Sequence, residues 1–280
     1  MASIADQVAR ARDFDAAAFA AWCIAGERVG WIENGFVRTL LGSSDGLLVL
    51  QHGRLALRAK EDYGARSAAL ERIALRLRKQ GHVTGGREER YVIASPSSGE
   101  PLFELERAAV WRFGVAARAA HLNASFGSGS TPHMWVARRA ASKPVDPGML
   151  DNLVGGGIAV GMSPEATLRK ECMEEAGISA ALAAGARAAG SLRVRRTVEN
   201  GLHDETLYAY DLELPPDFTP QNRDGEVAEF LLLGCAELTE RIAAGEFTVD
   251  AGAVAIDFLW RRGLIRDREV EQGLARLRDS

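Results

Sequence analysis

Residues 155–178 read GGGIAVGMSPEATLRKECMEEAGI, with glycines at one end and glutamates at the other. Ser163 followed by Pro164 has the form of a helix N-cap with proline at the first helical position. Gly177 stands where a left-handed C-terminal cap is expected, so the pattern predicts a helix over 164–176. At about 100° per residue, Ala166, Leu168, Cys172, Met173 and Ala176 fall on one broad side, while Glu171, Glu174 and Glu175 share an arc of about 100° on the other. Carboxylates three and four residues apart repel. These also lie near the helix C-terminus, where the macrodipole disfavours negative charge by up to about 1 kcal/mol each. A divalent cation resolves both costs: oxygen ligands in this number suit Mg²⁺ or Mn²⁺, which share protein carboxylates with substrate phosphates. The plainer alternative is a solvated acidic helix end. The glycines Gly155, Gly156, Gly157 and Gly161 allow a tight loop with backbone close to a ligand or to the helix.

The whole chain has 280 residues, enough for two ordinary domains, and 47% apolar with 26% charged residues describes a soluble globular protein. Its 38 acidic residues outnumber the 34 basic ones, for a net charge of −4, so there is no electrostatic footprint for nucleic acid. Cys23, Cys172 and Cys235 lie far apart without CxxC pairing, which suits a reducing compartment and buried small hydrophobes rather than a zinc site. No uncharged run approaches bilayer length, and the N-terminus carries Asp6, Asp13 and Asp15. The expectation is a cytoplasmic protein with no membrane partner.

Two opening helices are predicted, from Ile4 to about Arg12 and from Phe14 to about Ala25, the second stopped by Gly26. Strands follow at RVGWIE, FVRTLL, LLVLQHG and RLALRA, with GSSDG as the clearest turn. A helix over 65–80 is ended by Gly81, and ERYVIAS leads as a strand into the loop PSSGEP. SFGSGSTPH, residues 125–133, reads as an exposed turn before the strand MWVARRA. Beyond the glutamates, GSLRVRRTV, LYAYDLEL and EFLLLG read as strands, with Tyr208, Tyr210, Leu212 and Leu214 facing a core and Asp211 and Glu213 facing away. AGAVAIDFLWRRG reads as a late helix. A domain boundary is placed near residues 100–110, giving an N-terminal α+β domain over 1–105 and a second domain over 106–280.

The spacing of Gly156, Gly161 and the run Lys170-Glu171-Cys172-Met173-Glu174-Glu175-Ala176-Gly177-Ile178 closely resembles the Nudix box, G-x5-E-x7-R-E-U-x-E-E-x-G-U with U aliphatic. The resemblance implies an α/β/α sandwich with a mixed sheet, a metal-dependent hydrolase of diphosphate linkages, and metal ligands at Glu171, Glu174 and Glu175. Two positions depart from the box. Met162 occupies the place of its first glutamate, and Lys170 that of its arginine, whose planar fork lysine lacks. Glu165 falls three positions late to take over. With WVARRAASKPVDPGMLDNLVGGG, YDLELPPDF, DGEVAEF, IDFLWRRGLI, FGV and HLN, the chain is similar to the subfamily related to the Nudix region of fungal thiamine pyrophosphokinase and to plant and yeast Nudix proteins. Lysine in the box is usual there, and so is a preceding domain of uncharacterised role. That resemblance implies hydrolysis of thiamine diphosphate and its oxidised or toxic analogues, oxothiamine and oxythiamine diphosphates. Nucleotide sugars, oxidised nucleotides, and a ligand-binding module without turnover stand as alternatives. Dimerisation, shaping of the pocket and partner binding stay open for the first domain.

Other residues complete the candidate set. Glu226, after a long loop, is where Nudix enzymes often bring a further glutamate to the metals or the attacking water; Glu229 is a second choice, and an ordinary loop acid the alternative. Glu175 or Glu226, before Glu174, is the candidate general base. Arg138, Arg139 and Lys143 are candidates for holding phosphate oxygens, with alternation sending the two arginines to opposite faces. His121 and Asn123 are candidate pocket residues. Trp135, with Tyr208 or Tyr210, is a candidate to stack on a heterocycle, against the alternative that all three are core.

Overall fold

The computed structural model describes residues 3–51, 53–59, 62–85, 89–127 and 132–278. Helix α1 (Ile4–Arg10) opens the chain behind a Ser3 capping box, and strands β1 (Phe19–Ile24) and β2 (Glu27–Glu33) follow as a hairpin. The predicted helix over Phe14–Ala25 is therefore a strand over half its length, after a short 3-10 turn at Ala16–Ala18 capped by Asp15. Alanine-rich composition favours a helix locally, but pairing with β2 through the Ala25–Gly26 turn, both at positive φ, overrides it.

Helix α2 (Val37–Ser43) replaces the strand predicted at FVRTLL; Val37, Leu40 and Leu41 have helical spacing, and Leu40 is 1% exposed. Strands β3 (Leu48–Gln51) and β4 (Arg54–Leu57) complete a sheet of order β2-β1-β4-β3. Helix α3 (Tyr63–Lys79) and the hairpin of β5 (Arg90–Ala94) and β6 (Pro101–Glu106) close a core around Trp22, Ile32, Leu70, Ile73, Phe103 and Phe113.

The short helix α4 (Val110–Phe113) leads into a larger sheet. Its strands are β7 (Ala117–Phe126), β8 (His133–Arg139), β9 (Leu150–Asn152) and β10 (Val154–Gly157), and, after α5 (Pro164–Ala176) and α6 (Ala180–Ala183), β11 (Arg187–Val198), β12 (Gly201–Glu213) and β13 (Val227–Gly234). The order is β11-β12-β7-β8-β13, with β10 on β7 and β9 on β8; β12 and β7 run parallel, so the sheet is mixed. The exposed turn predicted over 125–133 lies partly outside the described residues, and β7 runs on through Phe126.

Helices α7 (Cys235–Ala243), α8 (Val249–Arg261) and α9 (Arg268–Arg278) cover one face of the sheet and α5 the other, forming the expected α/β/α sandwich. Strand β12 accordingly buries both faces: Leu207 and Ala209 meet the α8 side, and Tyr210 and Leu212 meet α5. The prediction of one covered side was too few because Leu207 and Ala209 sit in the same alternation as Asp211, whose carboxylate is taken by Arg261. Helix α1 packs here too. Val8 and Ala11 join the α8–α9 core, and Arg195 and Thr197 of β11 donate to the carbonyls of Ala11 and Asp13 at 2.8 Å each.

The two layers meet at Gly114. The Trp31 N–H donates to its carbonyl at 3.1 Å, the Trp22 indole N–H donates to Phe113 O at 2.7 Å, and Gly114 has φ 52°. A Cβ there would stand 1.9 Å from Trp31 O, backbone that cannot yield cheaply. Gly114→Ala is expected to lose more than about 2 kcal/mol of stability, read as a lowered denaturation midpoint; an unchanged midpoint would refute the tight junction.

Candidate active site

Helix α5 has the predicted bounds. Ser163 Oγ accepts from Ala166 N–H at 3.1 Å, and Gly177 closes the helix in the left-handed region at φ 65°. The closure turns the chain into Ile178, and strand β10 lays its glycines along the inner face of the last two turns. Gly155 N–H donates to Glu175 Oε2 at 2.9 Å. A Cβ on Gly156 would lie 2.6 Å from Glu171 Cγ, so only glycine leaves room for that side chain against the loop.

The three glutamates have different surroundings. Glu175 is 7% exposed, and burial raises its pKa well above the ordinary value of 4.5; the Gly155 hydrogen bond opposes this, while Glu171 and Asp151 reinforce it. Glu171 is also raised by burial, partly offset by Lys170. Lys170 Nζ bridges Glu171 Oε1 at 2.9 Å and Glu174 Oε2 at 2.8 Å, so the lysine braces two turns of the helix through a point charge. Glu174 is turned outward with it and is 45% exposed.

The loop before β13 returns to this face. The ligand oxygens of Glu175, Asp224 and Glu226 lie within 4.8 Å of one another, and Glu226 is ion-paired with Lys143. Three carboxylates so close, one of them buried, need protons or a cation, and an all-oxygen donor set fits Mg²⁺ or Mn²⁺. Asp224 was not singled out in the sequence; its place follows from a turn in which Asn222 Oδ1 accepts from the Asp224 and Gly225 N–H groups, which no residue type announces locally. Met162 N–H donates to Ala159 O in the turn at Gly161, and Glu165 lies exposed beside Ser163 and Tyr210, outside this cluster.

A cleft of about 290 Å³ opens beside the glycines. Arg139, Lys143, His121 and Asp151 line one wall, and Tyr91, Arg107 and Trp111 of the first region line the other. The first region also grips the loop: a Cβ on Gly157 would lie 1.7 Å from the Tyr91 hydroxyl oxygen, and Val160 N–H donates to Arg90 O at 2.9 Å. Arg139 is held by Asp151 at 2.7 Å and by the carbonyls of Val145 and Asp146. Arg138 points to Glu229 and Gly148 O instead, and is not in the cleft wall. His121 Nδ1 lies 2.9 Å from Asn152 Oδ1, while Asn123 is fully buried between Asn152 and Asp211. Trp135, Tyr208 and Tyr210 pack on the α5 core away from the cleft. Tyr91 and Trp111 carry the cleft's aromatic surface, and nothing within a local window pointed to them.

Residues 2–117 match a family model described as a domain of unknown function, DUF4743, and residues 115–250 match the NUDIX domain. Nudix hydrolase 24, chloroplastic, of Arabidopsis thaliana is 36% identical over 244 residues, 85% of this chain and 66% of that protein, so the chain spans just under two thirds of that relative's length. An uncharacterised protein of Saccharomyces cerevisiae is 30% identical over 77% of this chain and 68% of its own. The crystal structure of DR0079 from Deinococcus radiodurans is similar over 57% of this chain and 92% of its own, with 24% identity and a TM-score of 0.45.

Two outcomes follow. Because the folded pKa of Glu175 is raised, its contribution to stability is full below the unfolded value of 4.5 and is lost as pH rises through the folded value. In chelator, wild-type melting temperature should fall over that rise while Glu175→Gln stays flatter and melts higher at the alkaline end; parallel curves would contradict the buried carboxylate. Gly156→Ala, by displacing Glu171, should weaken Mn²⁺ binding by roughly 10-fold or more, measured by titration calorimetry.

Proposed function

The chain belongs to the Nudix hydrolase family, and we propose that it is a metal-dependent pyrophosphohydrolase acting on a small diphosphate, thiamine diphosphate or its oxidised analogues. The observation carrying this reading is buried Glu175, tied to Gly155 of the glycine loop that lines the cleft and clustered with Asp224 and Glu226. Glu171, Glu175, Asp224 and Glu226 would hold Mg²⁺ or Mn²⁺ as the hard-oxygen ligand set. When bound, the ion supplies charge neutralisation for the diphosphate and polarises water.

The chain's own groups do the rest. Arg139 and Lys143, on the wall next to the glycines, meet phosphate oxygens and orient the diphosphate along the loop. Burial makes the Glu175 carboxylate a stronger base, and once a cation beside it keeps it ionised it would accept the proton of the attacking water. Glu226, paired with Lys143, stands beside it as a further carboxylate ligand. Glu174 anchors Lys170 and stands one turn beyond Glu171 as the outermost of the three carboxylates. Tyr91 and Trp111 offer rings to the organic half of the substrate, an arrangement suited to a cationic heterocycle such as a thiazolium.

No described helix is long and apolar enough to cross a membrane. A cytoplasmic location belongs to this proposal, while the plant relative's name assigns that protein to the chloroplast.

Phosphate release, with a coupled pyrophosphatase, tests the reading on thiamine, oxothiamine and oxythiamine diphosphates, ADP-ribose, nucleotide sugars and 8-oxo-dGTP, with Mg²⁺ or Mn²⁺. Selective turnover of a thiamine compound is expected, reduced about 10²- to 10⁴-fold in Glu175→Gln. Turnover confined to a nucleotide compound would reject the thiamine assignment. None on any substrate would reject hydrolysis in favour of a binding module.

A further inference from the structure

Among the described residues, a second set of metal-ligating side chains lies in the cleft wall and belongs to neither the glutamate helix nor its loop. His203 and Glu205 stand two apart on β12, so the pleat points both the same way, and Asp250 in the first turn of α8 comes up beside them. Their ligand atoms lie within 4.8 Å of one another. His203 Nε2 is 3.2 Å from Glu205 Oε2 and 3.3 Å from Asp250 Oδ2.

His203 is 4% exposed, roofed by the Trp111 ring at 5.2 Å, yet neither ring nitrogen has a hydrogen-bond partner. Asp250 Oδ1 is equally without one. A buried imidazole facing two carboxylates at hydrogen-bonding distance but without the alignment is costly as it stands. Donor atoms held about 2.1 Å from one first-row ion sit about 3.0 to 3.4 Å apart at right-angled or tetrahedral positions, which is the spacing of His203 Nε2 from each carboxylate.

We propose that His203, Glu205 and Asp250 form a binding site for a divalent transition ion, Zn²⁺ or Mn²⁺, distinct from the Glu171–Glu175 cluster. The imidazole selects against Mg²⁺ and Ca²⁺, which prefer oxygen alone. The two carboxylates bring a charge of −2 that the ion neutralises. Glu205 and Asp250 keep 16% and 17% of their side-chain surface open, and both line the cleft, so the remaining coordination positions face it.

The test uses the full chain stripped with chelator and labelled with ¹⁵N-histidine. Zn²⁺ and Mn²⁺ are titrated by calorimetry, with bound metal counted by elemental analysis, for wild type, Glu175→Gln, His203→Gln and Asp250→Asn, each checked for folding by circular dichroism. Wild type and Glu175→Gln should each hold one Zn²⁺ that weakens at least tenfold in Asp250→Asn and His203→Gln, and Zn²⁺ should shift the Nε2 resonance of His203 in wild type. An unmoved His203 resonance at saturating Zn²⁺, or stoichiometry and affinity unchanged in a folded Asp250→Asn, overturns the site. Binding lost in Glu175→Gln but kept in Asp250→Asn does the same, by assigning the ion to the glutamate helix. None of these readouts depends on turnover, so the outcome is separate from that of the hydrolase reading.

Discussion

The contact between Gly155 N–H and the Glu175 carboxylate ties together the glycine loop, the helix and the sheet. It joins the edge of β10 to the last turn of α5, and so sets how far the helix stands from the sheet and which way its glutamates face. A carboxylate kept at that depth is unfavourable when ionised, and the fold tolerates it at a place where Glu171, Asp224 and Glu226 converge. The same carboxylates that lower the stability of the empty protein make the site attractive to a cation.

The glycine loop is constrained from the other side as well. Tyr91 stands against Gly157, and Arg90 accepts from Val160, so the first hundred residues set the loop's position directly. Between the two regions runs a cleft with basic groups near the carboxylates, rings along the facing wall, and a histidine with two acids farther along β12. A ligand filling it touches both family units, and neither unit alone has both walls.

Much of this was legible in the sequence where one helix or strand carried the signal. Ser163, Pro164 and Gly177 marked α5 to the residue, and the glutamate spacing marked its binding face. Helical spacing alone did not separate the two inward glutamates from Glu174, because that division depends on Lys170 and on the loop packed above. Two elements were misread for opposite reasons: the alanines of β1 favoured a helix that sheet pairing overrode, and the Val37-Leu40-Leu41 spacing of α2 was passed over for its β-branched and aromatic start. Asp224, Tyr91 and Trp111 reach the site through long-range packing that no local window contains. His203 and Glu205 lie in the polar run His203-Asp204-Glu205-Thr206, where no alternation set them apart, and Asp250 reaches them from α8.

Helix α1 shows that order along the chain and membership of a core are different things. Val8 and Ala11 are buried against α8 and α9, and the carbonyls of Ala11 and Asp13 take hydrogen bonds from the outer strand β11. Residues 4–11 thus pack in the sandwich, the residues after them build the smaller sheet, and the sandwich resumes at Gly114. Such an arrangement cannot be traded as beads on a string. A sandwich inherited or excised without its leading helix would bare an apolar patch and an unpaired sheet edge, so the two regions are bound to persist, or be lost, together.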